Sequence, residues 1–251
     1  MKMRDKREVQ RQDKEQHLAA IQAVKARRQQ APILARAAPV REENPVLLIV
    51  CQGTNTEVQY FEHFELATAD IKAVGLAYDP VTLVREAIRL RDDAKRDAPY
   101  EQVWCVFDKD DSSPEQFHAA IQIAAANEVE VAYSNQAFEF WLLLHFDDHQ
   151  GGGMTRERCA DRLSGLIREA NPKVSFDGKK GKDISRALFD LLESDDPTAE
   201  PGRLPRRKVA IGRARAIAKR WADEGTEPAY HESATEVYRL VMVLQRHLEP
   251  I

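Results

Sequence analysis

The sequence predicts an α/β protein with a four-stranded, mainly parallel sheet, because short apolar runs and amphipathic helices alternate from residue 45 onward. The runs at 46–51 and 102–107 are continuously apolar, which is typical of strands buried on both faces of a sheet. Each run leads into a helix and not into a hairpin turn, which is the pattern of parallel β-α-β units. With 43% hydrophobic residues, the chain can bury a sizeable core.

The predicted elements follow one another in a regular order. Strands are expected at 46–51, 71–78, 102–107 and 129–133, with helices between them at 56–67, 81–95 and 114–127. Thr56 is the predicted cap of the first helix, and Ser113 with Pro114 supplies a cap and a proline at the start of the third. Beyond Ser134 the strand pattern stops, and further helices are expected at 137–146, 155–170, 183–193, 206–222 and 233–248.

Changes in composition divide the chain into three predicted segments. Residues 1–44 combine a charged helical arm with a proline-containing linker, residues 45–150 form the core, and residues 151–251 form a helical region that begins at a run of glycines. The arm is interpreted either as a solvent-exposed helix or as a contact for a partner or nucleic acid.

Charge and cysteine content narrow the class of protein. The net charge of −4 argues against a uniformly basic nucleic-acid-binding protein, so such a surface must come from local clusters. Cys51, Cys105 and Cys159 lack metal-ligand spacing, and two of them fall in predicted buried strands, as expected in a reducing compartment. The amino terminus lacks the apolar core of a signal peptide, and no run is long enough to span a bilayer. We therefore expect a cytoplasmic protein without a membrane partner.

Polar side chains follow two predicted strands at the ends where open α/β sheets bind ligands. Asp108 and Asp110 come after strand 102–107, and residues i and i+2 of an extended strand face the same side. Two carboxylates can hold Mg²⁺ together with waters and substrate phosphates. Acidic residues also begin turns, so the pattern gains weight from Gln52, which ends the neighbouring strand. The sequence predicts a divalent-metal site with Asp108 and Asp110 as ligands.

Two further acidic residues are candidates for the same site. Glu57 starts the helix after the first strand, where it either stabilises the helix dipole or contributes to catalysis. Glu139 lies among aromatic residues in an apolar helix, so its charge needs a metal, an ion pair or a hydrogen bond to a loop. His145, on the same helix, fits a buried core histidine better than a ligand.

A strongly basic segment lies in the carboxyl-terminal third. Residues 203–220 contain eight arginines and lysines and no acidic residue, so the outer face of this helix is suited to phosphates, although a merely solvated face fits equally well. Without interleaved aromatic residues, contact with the nucleic-acid backbone is favoured over base stacking. The predicted nucleic-acid-binding residues are Lys179, Lys180, Lys182, Arg206, Arg207, Arg213 and Arg220.

Four motifs give the chain a resemblance to a known family. They are Cys-Gln-Gly-Thr-Asn-Thr-Glu-Val-Gln-Tyr-Phe at 51–61, Val-Phe-Asp-Lys-Asp at 106–110, Ser-Asn-Gln-Ala-Phe-Glu-Phe-Trp-Leu-Leu-Leu-His-Phe at 134–146 and, more weakly, Ser-Ala-Thr-Glu-Val-Tyr-Arg-Leu at 233–240. Through them residues 47–248 resemble the RloB family, whose core is similar to the Toprim fold of topoisomerases, primases and overcoming-lysogenization-defect nucleases.

The resemblance implies a metal-dependent nuclease that acts as a toxic effector of bacterial antiviral defence. It implies Mg²⁺ or Mn²⁺ on Asp108 and Asp110, RNA and especially tRNA as substrate in preference to DNA, and an ATPase partner that holds the effector inactive until infection. A homo-oligomer is also compatible with it. The catalytic residues that it implies are Gln52, Glu57, Asp108, Asp110 and Glu139.

One position departs from the family pattern, which has glutamate where this chain has Gln52. An amide cannot ionise or exchange protons near neutral pH, so the implied mechanism lacks one group. Three explanations are open: an introduced isosteric change that silences a toxic enzyme, a natural inactive variant, or replacement of the missing carboxylate by Glu57. The rival interpretation is a non-catalytic regulatory subunit that binds nucleic acid or a partner.

Overall fold

A computed structural model describes residue 22 and residues 44–94, 99–110, 112–150, 152–178, 182–197 and 204–248. Almost all of the predicted charged arm at 1–44 lies outside these described residues, and so do Lys179 and Lys180.

A five-stranded sheet forms the centre of the fold. The strands in chain order are β1 (Val46–Cys51), β2 (Asp70–Gly75), β3 (Gln102–Asp108), β4 (Glu130–Asn135), β5 (Asp195–Asp196), β6 (Leu204–Pro205) and β7 (Ala234–Thr235). The sheet has the order β2-β1-β3-β4-β7, in which β1 to β4 are parallel and β7 is antiparallel to β4. Strands β5 and β6 form a separate antiparallel pair.

The α/β class with a mainly parallel sheet is confirmed, whereas the number of strands differs from the prediction. The sheet has five strands and not the predicted four, since β7 pairs with β4 at one edge. This fifth strand was not predicted because it has only two residues. Such a short strand has no periodicity of its own, and its residues fall inside the segment that the hydrophobic pattern assigned to the last helix.

Every predicted helix within the described residues is present, although most are shorter than predicted. They are α1 (Thr56–Glu62), α2 (Pro80–Ala94), α3 (Pro114–Ala126), α4 (Glu139–Leu143), α5 (Arg156–Ala170), α6 (Arg186–Glu193), α7 (Arg206–Glu224) and α8 (Val237–Gln245). Ser113 caps α3 as predicted, because its hydroxyl accepts a hydrogen bond from the Gln116 N–H at 3.3 Å. Thr56 is not a cap but the first helical residue, and its hydroxyl donates to the Lys182 carbonyl at 2.7 Å.

Alternate residues of the central strands face two separate cores. Leu47 and Ile49 pack with α1 and with the carboxyl-terminal helices, while Leu48 and Val50 pack with α2 and α3. All four side chains are buried. Burial of both faces explains why the run at 46–51 is continuously apolar.

The helices after residue 152 share the first of these cores. Leu163 in α5, Leu188 in α6, Ile217 in α7 and Leu240 in α8 belong to the same buried cluster as Leu47. This packing brings the start of α5 and the loop before α6 to the carboxyl edge of the sheet. No helix in the described part of the chain is long and apolar enough to cross a membrane.

Candidate functional site

A pocket opens at the carboxyl ends of β1 and β3, where Gln52 and Asp108 lie on neighbouring strands. Its volume is about 490 Å³, and its walls come from the turn after β1, the loop after β2 and the first residues of α4 and α5. All five residues predicted as catalytic line this pocket. The charged residues around it are Glu57, Asp79, Asp108, Asp110, Glu139, Arg156 and Lys182.

Asp108 and Asp110 converge on one guanidinium group. Nη2 of Arg156 lies 2.8 Å from a carboxylate oxygen of Asp108 and 3.4 Å from one of Asp110. The extended geometry predicted for this pair is wrong, because β3 ends at Asp108 and Asp110 has a φ of 39°. This left-handed residue turns the chain, and the two carboxylates meet through Arg156.

Arg156 is positioned by the helix that carries it. It is the first residue of α5, whose cap, Thr155, accepts a hydrogen bond from the Arg158 N–H at 3.3 Å. Cys159 and Leu163 anchor the same helix in the core. Arg156 is not among the predicted site residues, since nothing in the local sequence distinguishes it from the exposed Arg158.

Glu57 folds its carboxylate over the turn that follows β1. A Cβ atom at Gly53 would lie 1.9 Å from Oε2 of Glu57, so a larger residue at this position would displace the Glu57 carboxylate. Burial raises the pKa of Glu57; the backbone hydrogen bond at the helix start opposes this shift, and the Glu139 carboxylate adds to it. The side chain therefore lies within the site, and its carboxylate faces the turn at Gly53.

Glu139 is paired with a lysine from a loop distant in sequence. Nζ of Lys182 lies 2.7 Å from Oε1 of Glu139, whose side chain is only 3% exposed. Helix α1 positions this loop, because Thr56 bonds to the Lys182 carbonyl and the Ile184 N–H donates to Oε1 of Gln59 at 2.6 Å. The charge of Glu139 is thus neutralised by an ion pair, one of the partners anticipated for it.

Gln52 joins the ends of three strands. Its amide oxygen accepts a hydrogen bond from the Asp108 N–H at 2.9 Å, and its own N–H donates to the Val106 carbonyl at 2.8 Å. Its carbonyl accepts a bond from the Ala77 N–H, in the loop after β2, at 3.0 Å. A glutamate carboxylate could accept the same bond from Asp108, so the geometry at this position suits either residue.

Negative charge exceeds positive charge in the pocket. Five carboxylates face two cationic side chains. Burial raises the pKa of Asp108 well above its usual range; Glu57 and Glu139 raise it further, and Arg156 opposes the shift. A bound cation would relieve this repulsion.

The residues of the pocket fit a metal ion in part. Within the described ranges, no group of three or more His, Cys, Asp or Glu side chains is arranged to hold a metal. Asp108 and Asp110 do approach a common point, but the Arg156 guanidinium lies there. A magnesium site that uses one or two carboxylates with waters and phosphates is compatible with this pair.

Two arginines of the predicted nucleic-acid platform are drawn into the fold. Arg206 is buried, with its guanidinium 3.3 Å from Asp196 and 5.0 Å from the ring centre of Phe146. Arg207 pairs with Glu193. Both side chains hold α7 to its neighbours. The number of charges in the sequence does not show which arginines form such buried ion pairs and which are exposed.

The two other platform arginines on α7 bind backbone carbonyls. Nη1 of Arg213 donates to the Leu144 carbonyl at 2.8 Å, and Nη1 of Arg220 donates to the Gln150 carbonyl. Lys182 faces the pocket described above. The exposed cations of α7 are Lys208, Arg215 and Lys219.

An exposed aromatic residue lies at the rim of the pocket. Tyr78 is 43% exposed and lines the pocket. Its loop is fixed to the end of β1, because the Leu76 N–H donates to the Cys51 carbonyl at 3.1 Å and the Ala77 N–H donates to Gln52. Tyr78 is not among the predicted site residues, because it lies outside the basic segment at 203–220 to which the prediction of nucleic-acid contacts was tied.

His145 and the three cysteines lie in the core. Nδ1 of His145 lies 3.1 Å from the Trp141 carbonyl, and burial lowers the pKa of the histidine to about 3. It is therefore neutral near pH 7. Cys51, Cys105 and Cys159 are buried free thiols, and burial raises the pKa of each.

Together, the sheet and its pocket define an α/β protein with an acidic cleft at the carboxyl edge of parallel strands. The chain belongs to the RloB-like protein family, whose family model matches residues 47–244. No curated protein and no solved structure matches it significantly.

Proposed function

We propose that this protein is a metal-dependent nuclease with a Toprim-like core, and that it serves as a cytoplasmic effector of bacterial antiviral defence. The observation that carries the proposal is the convergence of Asp108 and Asp110 in a cleft that also holds Arg156 and Lys182. Paired carboxylates for a cation, next to positive groups for a phosphate, are the parts that phosphodiester hydrolysis requires. Membership of the RloB-like family supports the same conclusion.

Each group of the pocket has a chemical part in this proposal. Mg²⁺ or Mn²⁺ bound by Asp108 and Asp110 would supply an activated water and charge neutralisation at the phosphate. The guanidinium of Arg156 and the ammonium of Lys182 bind phosphate oxygens. Glu57 lies in the same pocket, where burial raises its pKa, and it would donate a proton to the leaving oxygen.

RNA, and tRNA in particular, is the proposed substrate class, by resemblance to the family. An ATPase partner that restrains the enzyme is proposed on the same ground. The structure supplies one supporting feature for an unpaired nucleotide, because the exposed ring of Tyr78 at the rim offers a surface on which a base can stack.

The decisive experiment compares three versions of the protein: the present chain, Gln52→Glu, and Gln52→Glu combined with Asp108→Ala. Each is incubated with labelled total tRNA, single-stranded DNA and duplex DNA, in Mg²⁺, in Mn²⁺ and in EDTA. We expect cutting of tRNA by the Gln52→Glu version in either metal, and none in EDTA or with Asp108→Ala. Cutting that persists with Asp108→Ala would refute the assignment of the metal site.

A non-catalytic binding subunit is the second candidate, and two observations favour it. Gln52 cannot ionise, and Arg156 already pairs with the two aspartates. Such a subunit would bind nucleic acid or its partner with the same affinity in all three versions and would cut in none of them. Affinity measured on the samples used for cutting therefore separates the two candidates.

A further inference from the structure

We propose that Arg156 is an exchangeable counter-ion of the pocket. Without a divalent cation it pairs with Asp108 and Asp110, and when a cation binds these carboxylates its guanidinium turns to a phosphate of the nucleic acid. This inference rests on the proposed function, and it deepens it by giving one residue a competing role toward the cation and a binding role toward the substrate.

The contact distances place Arg156 at the position that a cation would need. One nitrogen, Nη2, lies 2.8 Å from Asp108 and 3.4 Å from Asp110. A magnesium ion binds carboxylate oxygens at about 2.1 Å, so the ion and this nitrogen cannot both lie between the two side chains. Binding of a cation to this pair therefore displaces the guanidinium.

The surroundings of Arg156 leave it free to move. Its side chain is 36% exposed, and Nη2 makes the contacts with both aspartates. By contrast, the side chain of Arg206 is 9% exposed and is held by Asp196 and Phe146. The guanidinium of Arg156 is thus held at one end only.

The place to which the displaced guanidinium turns is also suited to phosphate. Arg156 is the first residue of α5, a helix of 15 residues whose amino-terminal N–H groups favour an anion. Its planar fork matches two phosphate oxygens. Lys182, the other cation of the pocket, is paired with the buried Glu139, and its backbone is fixed to Thr56. Arg156 is therefore the cation that can exchange the two aspartates for a phosphate.

Cation binding gives the first test. Mn²⁺ affinity is measured by electron paramagnetic resonance for the unchanged protein, for Arg156→Gln and for Arg158→Gln, an exposed residue of the same helix that serves as a matched control. Removal of the competing charge should tighten Mn²⁺ binding by about tenfold, which corresponds to ~1.4 kcal/mol, whereas Arg158→Gln should leave it unchanged. Equal or weaker Mn²⁺ binding by Arg156→Gln would overturn the inference.

Nucleic-acid binding gives the second test, with the opposite sign. A fluorescein-labelled single-stranded RNA oligonucleotide is titrated with each protein in Ca²⁺ and in EDTA. For the unchanged protein, Ca²⁺ should strengthen binding because it releases Arg156 toward the phosphate. Arg156→Gln should lose this calcium-dependent gain and bind RNA about tenfold more weakly in Ca²⁺, the loss of one charge-assisted contact. A full gain in Arg156→Gln would contradict the proposal.

A purely structural role for Arg156 is separated by a conservative variant. Arg156→Lys keeps the positive charge without the fork, so it should restore competition with Mn²⁺ but only part of the RNA affinity. A structural ion pair would instead alter urea unfolding and leave both affinities unchanged. Arg156→Lys also serves as the test if Arg156→Gln does not fold.

Failure of this inference and failure of the nuclease proposal give different results. If no version cuts nucleic acid, yet Arg156→Gln tightens Mn²⁺ binding and loses the calcium-dependent gain, the nuclease proposal fails and the exchange stands. If the Gln52→Glu protein cuts in Mg²⁺ but Arg156→Gln leaves the affinity for Mn²⁺ unchanged, the exchange fails and the nuclease proposal stands.

Discussion

The side-chain amide oxygen of Gln52 accepts a hydrogen bond from the backbone N–H of Asp108 at 2.9 Å. Gln52, where the resemblance leads one to expect glutamate, therefore fixes the end of the strand that carries Asp108, a proposed metal ligand. The role of Gln52 has two separable parts: its oxygen acts as an acceptor, which an amide and a carboxylate share, and its charge is zero, which only the amide provides.

These two parts can be tested by two substitutions at residue 52, one that keeps the hydrogen-bond acceptor and one that removes it. Gln52→Glu keeps the acceptor and should retain this hydrogen bond, while it adds one more carboxylate to the pocket. Gln52→Ala leaves the Asp108 N–H without its acceptor and should lower the free energy of unfolding by about 1 kcal/mol. Urea unfolding followed by circular dichroism measures both values. An Ala variant as stable as the present protein would show that the hydrogen bond contributes nothing.

Asp108 should make stability depend on pH in a defined direction. Because burial raises its pKa, the folded state holds more protons than the unfolded state between the usual pKa of an aspartate, about 3.9, and the raised value. Its contribution to stability therefore falls as pH rises through this window. Asn at this position does not titrate, so Asp108→Asn should gain stability relative to the present protein as pH rises, by more than about 1 kcal/mol.

Urea unfolding at a series of pH values measures this difference. Asp70→Asn is a suitable control, because Asp70 is an exposed aspartate at the start of β2, the opposite end of the sheet from the pocket. The free energy of unfolding of Asp108→Asn, taken relative to the present protein, should rise with pH, whereas that of Asp70→Asn should not. Parallel curves for the two variants would mean that burial does not govern the proton affinity of Asp108.

The sequence predicted the sheet well because its strands are defined by local composition. The run at 46–51 must be apolar on both faces, and this requirement is visible in the residues themselves. Strand β7 was not predicted because two residues are too few to show the hydrophobic alternation of a strand. Its place in the sheet depends on hydrogen bonds to Ser134 and Asn135, which lie about a hundred positions earlier.

The candidate site was predictable at the strand ends and not elsewhere. Asp108 and Asp110 follow an apolar strand, so their neighbourhood could be inferred from sequence order. Arg156 and Lys182 reach the same pocket only because α5 and the loop before α6 pack against the first core. Such long-range placement leaves no trace in local spacing, and Arg156 looks the same in sequence as the exposed Arg158.

Arg206 and Lys208 should respond differently to replacement by alanine, although both belong to one basic run. Arg206→Ala removes the guanidinium that pairs with the buried Asp196 and packs on Phe146, and should cost about 3 kcal/mol of unfolding free energy. Lys208 is exposed, and its replacement should change stability by less than about 0.5 kcal/mol. Thermal unfolding of both variants tests this difference. If Arg206→Ala loses as little stability as the Lys208 variant, the ion pair of Arg206 with Asp196 does not stabilise the fold.

Tyr78 should contribute to binding of single strands through its ring and not through its hydroxyl. The ring is exposed at the rim of the pocket, on a loop fixed by hydrogen bonds to the end of β1. Stacking of one base on an aromatic ring is worth about 1–3 kcal/mol, so Tyr78→Ala should weaken binding of a labelled single-stranded RNA by roughly tenfold. Tyr78→Phe keeps the ring and should bind like the present protein.

Fluorescence of 2-aminopurine in the RNA adds a direct readout, because stacking on the ring quenches this base analogue. Quenching should be present with Tyr and Phe and absent with Ala. Duplex RNA, whose bases are already stacked on one another, should bind equally to all three proteins. If Tyr78→Ala loses affinity for duplex and single-stranded RNA to the same extent, the ring maintains the conformation of the loop and does not stack on a base.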